Sequence, residues 1–117
     1  MQFSGIHHVS INVDDLDAAR AFYVDGLGLK VLERPDLGFP GLWLDAGGQE
    51  IHLLAQNAGE PLEGQHFALG VDDLEAVRIH LEAAGITLSR PQTIPGICVQ
   101  AFIKDPSNNL IEFNQRL

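Results

Sequence analysis

HVSINVDDLDAAR at residues 8–20 and HFALGVDDLEAVR at residues 66–78 decide how this chain is read: they align at a constant offset of 58, with seven of thirteen positions identical. A second offset, of 60, carries Asp45 onto Asp105, Ile51 onto Ile111 and His52 onto Glu112. A unit present twice places equivalent residues at equivalent points of two copies. Here those points open on His8 and His66 and close on His52 and Glu112, all metal-capable side chains. The repeat therefore predicts two ligands from each copy around one ion.

Working outward, Val9, Ile11 and Val13 alternate with His8, Ser10 and Asn12, the pattern of a half-buried strand. Asp14 and Asp15 cap a helix with apolar positions Leu16, Ala19, Phe22 and Tyr23, stopped by Gly26 and Gly28. Strands follow at 29–33, 42–46 and 50–55, the last two joined across Gly47-Gly48. The second copy repeats the order: a strand at 66–71, caps Asp72 and Asp73, a helix striped by Leu74, Val77, Leu81 and Ala84, the stop Gly85, and strands at 86–89, 97–104 and 110–114. Even a loop recurs, Arg34-Pro35 to Pro40-Gly41 matching Arg90-Pro91 to Pro95-Gly96. The expected fold class is α+β: two tandem βαβββ modules forming a curved mixed sheet. The modules occupy 4–56 and 65–115 of a single 1–117 domain, with 57–64 as linker.

With 45% hydrophobic and 20% charged residues the chain has ordinary globular composition. A net charge of −9 without a basic stripe argues against nucleic acid and anionic membranes, leaving a small-molecule substrate as the partner. Copies of this size bury only thin cores, so a homodimer is expected. The lone Cys98, set between Ile97 and Val99, reads as a packed hydrophobe in a reducing compartment. With no secretory signal pattern and no membrane-length apolar run, the expected location is cytoplasmic.

Strand parity puts His8, His52, His66 and Glu112 on the face opposite the aliphatic set, hence on the concave side of each sheet. Three imidazoles and one carboxylate suit a divalent ion, Zn, Fe(II), Ni, Mn or Co, without selecting among them. Without His52, the remaining His8, His66 and Glu112 form a two-histidine, one-carboxylate set with open positions. His7 falls on the other strand face and reads as edge-exposed, and His80 reads as a solvent-facing helix residue. Glu50 shares its face with His52 at about 7 Å and reads as an exposed carboxylate. Arg20 and Arg78 are equivalent and are expected to pair with nearby acids, while Phe39, Trp43 and Phe102 are expected to pack in the core.

HHVSINVDDLDAARAFYVDGLGL in the first copy, QHFALGVDDLEAVR in the second and DPSNNLIEF near the end resemble the vicinal oxygen chelate superfamily. That superfamily includes glyoxalase I, fosfomycin-resistance thiol transferases, methylmalonyl-CoA epimerase, bleomycin-binding proteins and extradiol dioxygenases. The resemblance covers nearly the whole chain and implies metal positions on the first and last strand of each module, falling on His8, His52, His66 and Glu112. Glyoxalase I has Glu where this chain has His52, which points away from glutathione-dependent isomerisation. Fosfomycin-resistance proteins and extradiol dioxygenases carry two His and a Glu at the positions of His8, His66 and Glu112. The implied activity is Lewis-acid activation of a small oxygen-bearing substrate, isomerase- or lyase-like, with Glu112 as ligand and catalytic proton acceptor. The alternatives are Fe(II) extradiol-type dioxygenation and small-molecule binding or resistance without catalysis. The metal cup can close within one chain or by exchange between two.

Overall fold

The computed structural model describes all of residues 1–117, which divide into two compact units, Met1–Gly59 and Glu60–Leu117. The first unit runs β1 (His8–Val13), α1 (Leu16–Arg20), β2 (Lys30–Leu32), β3 (Gly41–Asp45) and β4 (Glu50–Ala55). The second runs β5 (His66–Gly70), α2 (Leu74–Ala83), β6 (Gln92–Ile94), β7 (Cys98–Lys104) and β8 (Leu110–Arg116). Each unit holds its own four-stranded sheet, ordered β1-β4-β3-β2 and β5-β8-β7-β6. In both, the first and last strands pair in parallel and the remaining neighbours antiparallel. The α+β class and the twofold βαβββ order are as the repeat predicts, realised as two mixed sheets, one per unit.

The duplicated VDDL segment works the same way twice. Asp15, in extended backbone, accepts the Ala18 amide at 3.1 Å, and Asp73 accepts the amides of Glu75 and Ala76 at 3.0 and 3.2 Å. These bonds satisfy amides that lack partners in a helix's first turn. The two helices then diverge. After Arg20 the first widens into a π-helical segment, Ala21–Gly26, with the Leu27 amide donating to the Phe22 carbonyl at 2.8 Å. That segment carries Tyr23, the largest fully buried side chain. The second helix stays α-helical and closes with Gly85 at φ 76, the Ile86 amide reaching back to the Leu81 carbonyl.

Strand alternation sorts the residues by face. Leu42, Leu44, Ile51 and Leu53 make the core of the first sheet, and Ala101, Ile103, Ile111 and Phe113 that of the second, where Cys98 is buried too. Two expectations need correction. No strand forms at 86–89; β6 lies instead at Gln92–Ile94, inside the expected loop. Ser89 touches β7 only through its amide on the Phe102 carbonyl and its hydroxyl on the Phe102 amide, and Pro91 interrupts pairing because it has no N–H to donate. The last strand also runs two residues further than expected, to Arg116.

The register shows one difference invisible in the alignment. Trp43 stands opposite His52 on β3 and β4, and Phe102 opposite Glu112 on β7 and β8, so β3 and β7 correspond at an offset of 59 while β4 and β8 keep 60. The β7–β8 turn is one residue longer than its counterpart and absorbs the shift. Asp45 and Asp105 each brace their turn: Asp45 accepts the amides of Gly47 and Gly48, and Asp105 those of Ser107 and Asn109. Replacing Asp73 with Ala should cost about 1 kcal/mol through loss of the helix cap, read as a lower urea midpoint with an unchanged denaturant slope.

Candidate functional site

In the first unit, parallel pairing sets His8 opposite Glu50 and Ser10 opposite His52. The His52 ring is buried between two others, His8 at 4.0 Å between centroids and 15° between planes, and Trp43 at 4.3 Å and 8°. Its Nε2–H donates to Glu50 Oε1 at 2.8 Å. His8 is exposed, and its Nδ1 lies 2.8 Å from Nδ1 of His7, so one of the two rings must carry the proton between them. When His8 donates, its Nε2 keeps a lone pair available to a cation. His8 is held below the ordinary imidazole range, first by partial desolvation of its ring, then by the positive charge that His52 and His7 can carry, with Glu50 opposing.

The second unit presents a different pair. His66 Nδ1–H donates to the Gly64 carbonyl at 2.9 Å, which leaves the neutral ring a lone pair on Nε2. That nitrogen lies 3.1 Å from Glu112 Oε1. The other carboxylate oxygen, Oε2, accepts from Asn114 Nδ2 at 2.7 Å. Each group is thus oriented through its far atom while the near atoms face each other. A carboxylate oxygen and an imidazole lone pair at that distance need a cation between them, a proton or a metal ion. The rings of Phe102 and His66 stand nearly perpendicular, with centroids 5.5 Å apart.

The structure therefore brings His8 together with His52 and His66 together with Glu112. Neither unit by itself assembles three or more His, Cys, Asp or Glu side chains able to hold a metal. Several residues fall elsewhere than the sequence suggested. Glu50 is half-buried on His52, because cross-strand neighbours cover it. Trp43 stacks on His52 instead of packing in the core, since its strand parity is that of the histidine. Phe39 lies under the Arg34 guanidinium, 5.0 Å from Cζ to ring centroid. Arg78 pairs with both Glu75 and Glu82, but Arg20 is exposed with no acid partner, the positions corresponding to Glu75 and Glu82 being Asp17 and Val24. Asn114 was missed altogether; its only signal in the sequence is its place two residues beyond Glu112, on the same strand face.

Residues 5–113 match the family model described as the Glyoxalase/Bleomycin resistance protein/Dioxygenase superfamily. A lactoylglutathione lyase from Haemophilus influenzae is 33% identical over 121 residues, covering 92% of this chain and 90% of that protein. A glyoxalase family protein from Enterococcus faecalis superposes with a TM-score of 0.82 at 29% identity, covering 98% of this chain and 100% of the other. An antibiotic binding protein from Streptomyces sp. CB03234 does so with a TM-score of 0.84 at 26% identity, covering 100% and 99%.

In metal-free protein, an NMR titration should place the His8 midpoint below the ordinary value of about 6.5. His52→Ala should raise that midpoint and Glu50→Gln should lower it further, because they remove a cation and an anion respectively. A lowered midpoint means that protonation is easier in the unfolded chain, so His8 costs stability only as pH falls below its ordinary value.

Proposed function

The chain belongs to the glyoxalase/bleomycin resistance protein/dioxygenase superfamily, and from that premise we propose that it is a divalent-metal-dependent enzyme acting on a small oxygen-bearing substrate by isomerase- or lyase-like chemistry. The observation that carries this reading is the burial of His52 and Glu112. Each is 7% exposed, at equivalent places on the last strands of the two copies and on the face away from the aliphatic core. The third buried polar residue, Asp105, braces a turn. A buried carboxylate and imidazole off the core face oppose folding through desolvation and are kept where chemistry needs them.

The donor set fits a divalent ion: His66 Nε2 and Glu112 Oε1 face each other with their far atoms anchored. His8, His52, His66 and Glu112 are the residues that would hold it, as Zn, Fe(II), Ni, Mn or Co, with the two modules acting as one domain. When bound, the ion supplies Lewis-acid polarisation of neighbouring substrate oxygens. Glu112 would be a ligand and, where its carboxylate is loosened from the ion, the proton acceptor beside the substrate, while Asn114 holds Oε2. His66 keeps its Nδ1 proton on the Gly64 carbonyl and does not compete for the substrate's proton there. The assembly we infer is a homodimer. Support comes from β1 and β5, each an edge strand of its sheet, and from the exposed Met1, Phe3 and Ile6 preceding β1. No helix is long and apolar enough to cross a membrane, and cytoplasmic placement accords with the single free Cys98.

One observation favours a second reading. A coordinated ion lies close to the plane of each imidazole that binds it, and His8 and His52 are stacked within 15° of parallel. Both rings can bind one ion only if one of them turns, and His52 is already engaged by Glu50. The two-histidine, one-carboxylate set His8, His66 and Glu112 then remains, which suits Fe(II) and extradiol-type oxygenation.

Replacing His8, His66 or Glu112 with Ala should reduce metal content to background by elemental analysis and abolish turnover. Unchanged metal in all three variants would show that the site lies elsewhere. Wild-type protein that takes up oxygen with a catechol only when iron-loaded supports the second reading; zinc or nickel in the protein as purified, with no oxygen dependence, supports the first.

A further inference from the structure

We propose that Arg34 is the carboxylate-recognising residue of this site, so that the substrate carries a carboxylate arm beside its reacting oxygens. The observation is a half-buried cation without an acid partner in a strongly acidic protein. Of the seven Lys and Arg residues, only Arg34 and Arg78 are not fully exposed. Arg78 is held by two glutamates. Arg34 has no acid partner, although the chain carries sixteen Asp and Glu. Its protein contacts are a donated bond from Nη2 to the Phe39 carbonyl at 3.0 Å and the face of the Phe39 ring. Nε is buried with no acceptor, and Nη1 donates to nothing in the chain. A guanidinium carries five N–H donors in a planar fork that fits a carboxylate's two oxygens, and most of that fork is unused here.

Its position ties it to the candidate centre. The guanidinium lies against Gly41 at the start of β3, where a Cβ would clash with the Leu53 carbonyl oxygen and also crowd Nη2 at 3.0 Å. Glycine at 41 is required first by the neighbouring strand's backbone and leaves the arginine its place. Strand alternation gives position 41 the face of Trp43, two residues and about 7 Å further along β3. Trp43 in turn stacks on His52. We place Arg34, beside Gly41 at the start of β3, before Trp43 and then His52 along the first unit, a cation at one end and the imidazole pair at the other. A small acid can lay its carboxylate on Arg34 and an apolar body on the free part of Trp43. The corresponding Arg90 of the second copy is exposed, so the recurring Arg-Pro loop has this role in the first copy alone.

The inference rests on the preceding functional reading for the identity of the reacting end, but the anion site itself needs no metal. Trp43, the sole tryptophan, reports on it by fluorescence. Metal-free wild-type protein should bind benzoate saturably and benzamide at least tenfold more weakly. Arg34→Gln should weaken benzoate at least tenfold, and Arg34→Lys should fall between, with urea midpoints recorded for both variants. Benzamide binding as tightly as benzoate in the unmodified protein would overturn the proposal whatever the variants do. Equal benzoate affinity in wild type and a folded Arg34→Gln would reduce Arg34 to a clasp on its loop. Arg34-dependent benzoate binding in a protein that takes up no divalent ion would sustain the anion site while removing the metal reading.

Discussion

Parallel pairing between the first and last strand of each copy is the constraint on which the site depends. A parallel pair cannot be closed by a tight turn, so the chain must make a long crossover before the last strand can lie beside the first. In both units that crossover consists of a helix and two further strands, and it brings together side chains more than forty residues apart. His8 meets His52 and His66 meets Glu112 for this reason. Because side chains alternate along each strand, the same pairing sends Ile51, Leu53, Ile111 and Phe113 into the cores on the other face. Slipping one last strand by a single residue would turn His52 or Glu112 toward the core and the aliphatics away from it.

The two copies use this frame differently. In the second, an imidazole and a carboxylate face each other with their remaining atoms anchored on Gly64 and Asn114, a geometry suited to a shared cation. In the first, a carboxylate from the same strand engages the imidazole, and an indole covers it. Duplication supplied equivalent positions, and substitution at them set a carboxylate beside the imidazole in one copy and a second imidazole in the other. Membership of a superfamily that joins glyoxalases, resistance proteins and dioxygenases agrees with a scaffold that hosts several chemistries.

Net charge of −9 makes the cations informative. Where acids outnumber bases more than two to one, a half-buried arginine with no acid partner is held in place by something other than charge pairing. Here a carbonyl and an aromatic ring hold it. Such a guanidinium keeps most of its hydrogen-bonding capacity for a ligand, whereas Arg78, committed to two glutamates on its own helix, does not.

Much of this was legible in the residues alone, because repetition and period-two alternation are properties of the chain itself. The twofold βαβββ order, the aspartate caps and the faces of His8, His52, His66 and Glu112 follow from spacing. Tertiary structure decided what spacing cannot encode. The π-helical widening after Arg20 leaves no mark on a 3.6-residue period. The extra turn residue that aligns Phe102 with Trp43 is visible only once strands pair. The engagement of His52 by Glu50, of Glu112 by Asn114 and of Arg34 by Phe39 likewise depends on rotamers, which spacing along a strand or loop does not fix. Sequence determines which side chains share a face, because alternation is local; which of them touch, and which donor atoms stay free, is settled only when separate strands and loops are packed side by side.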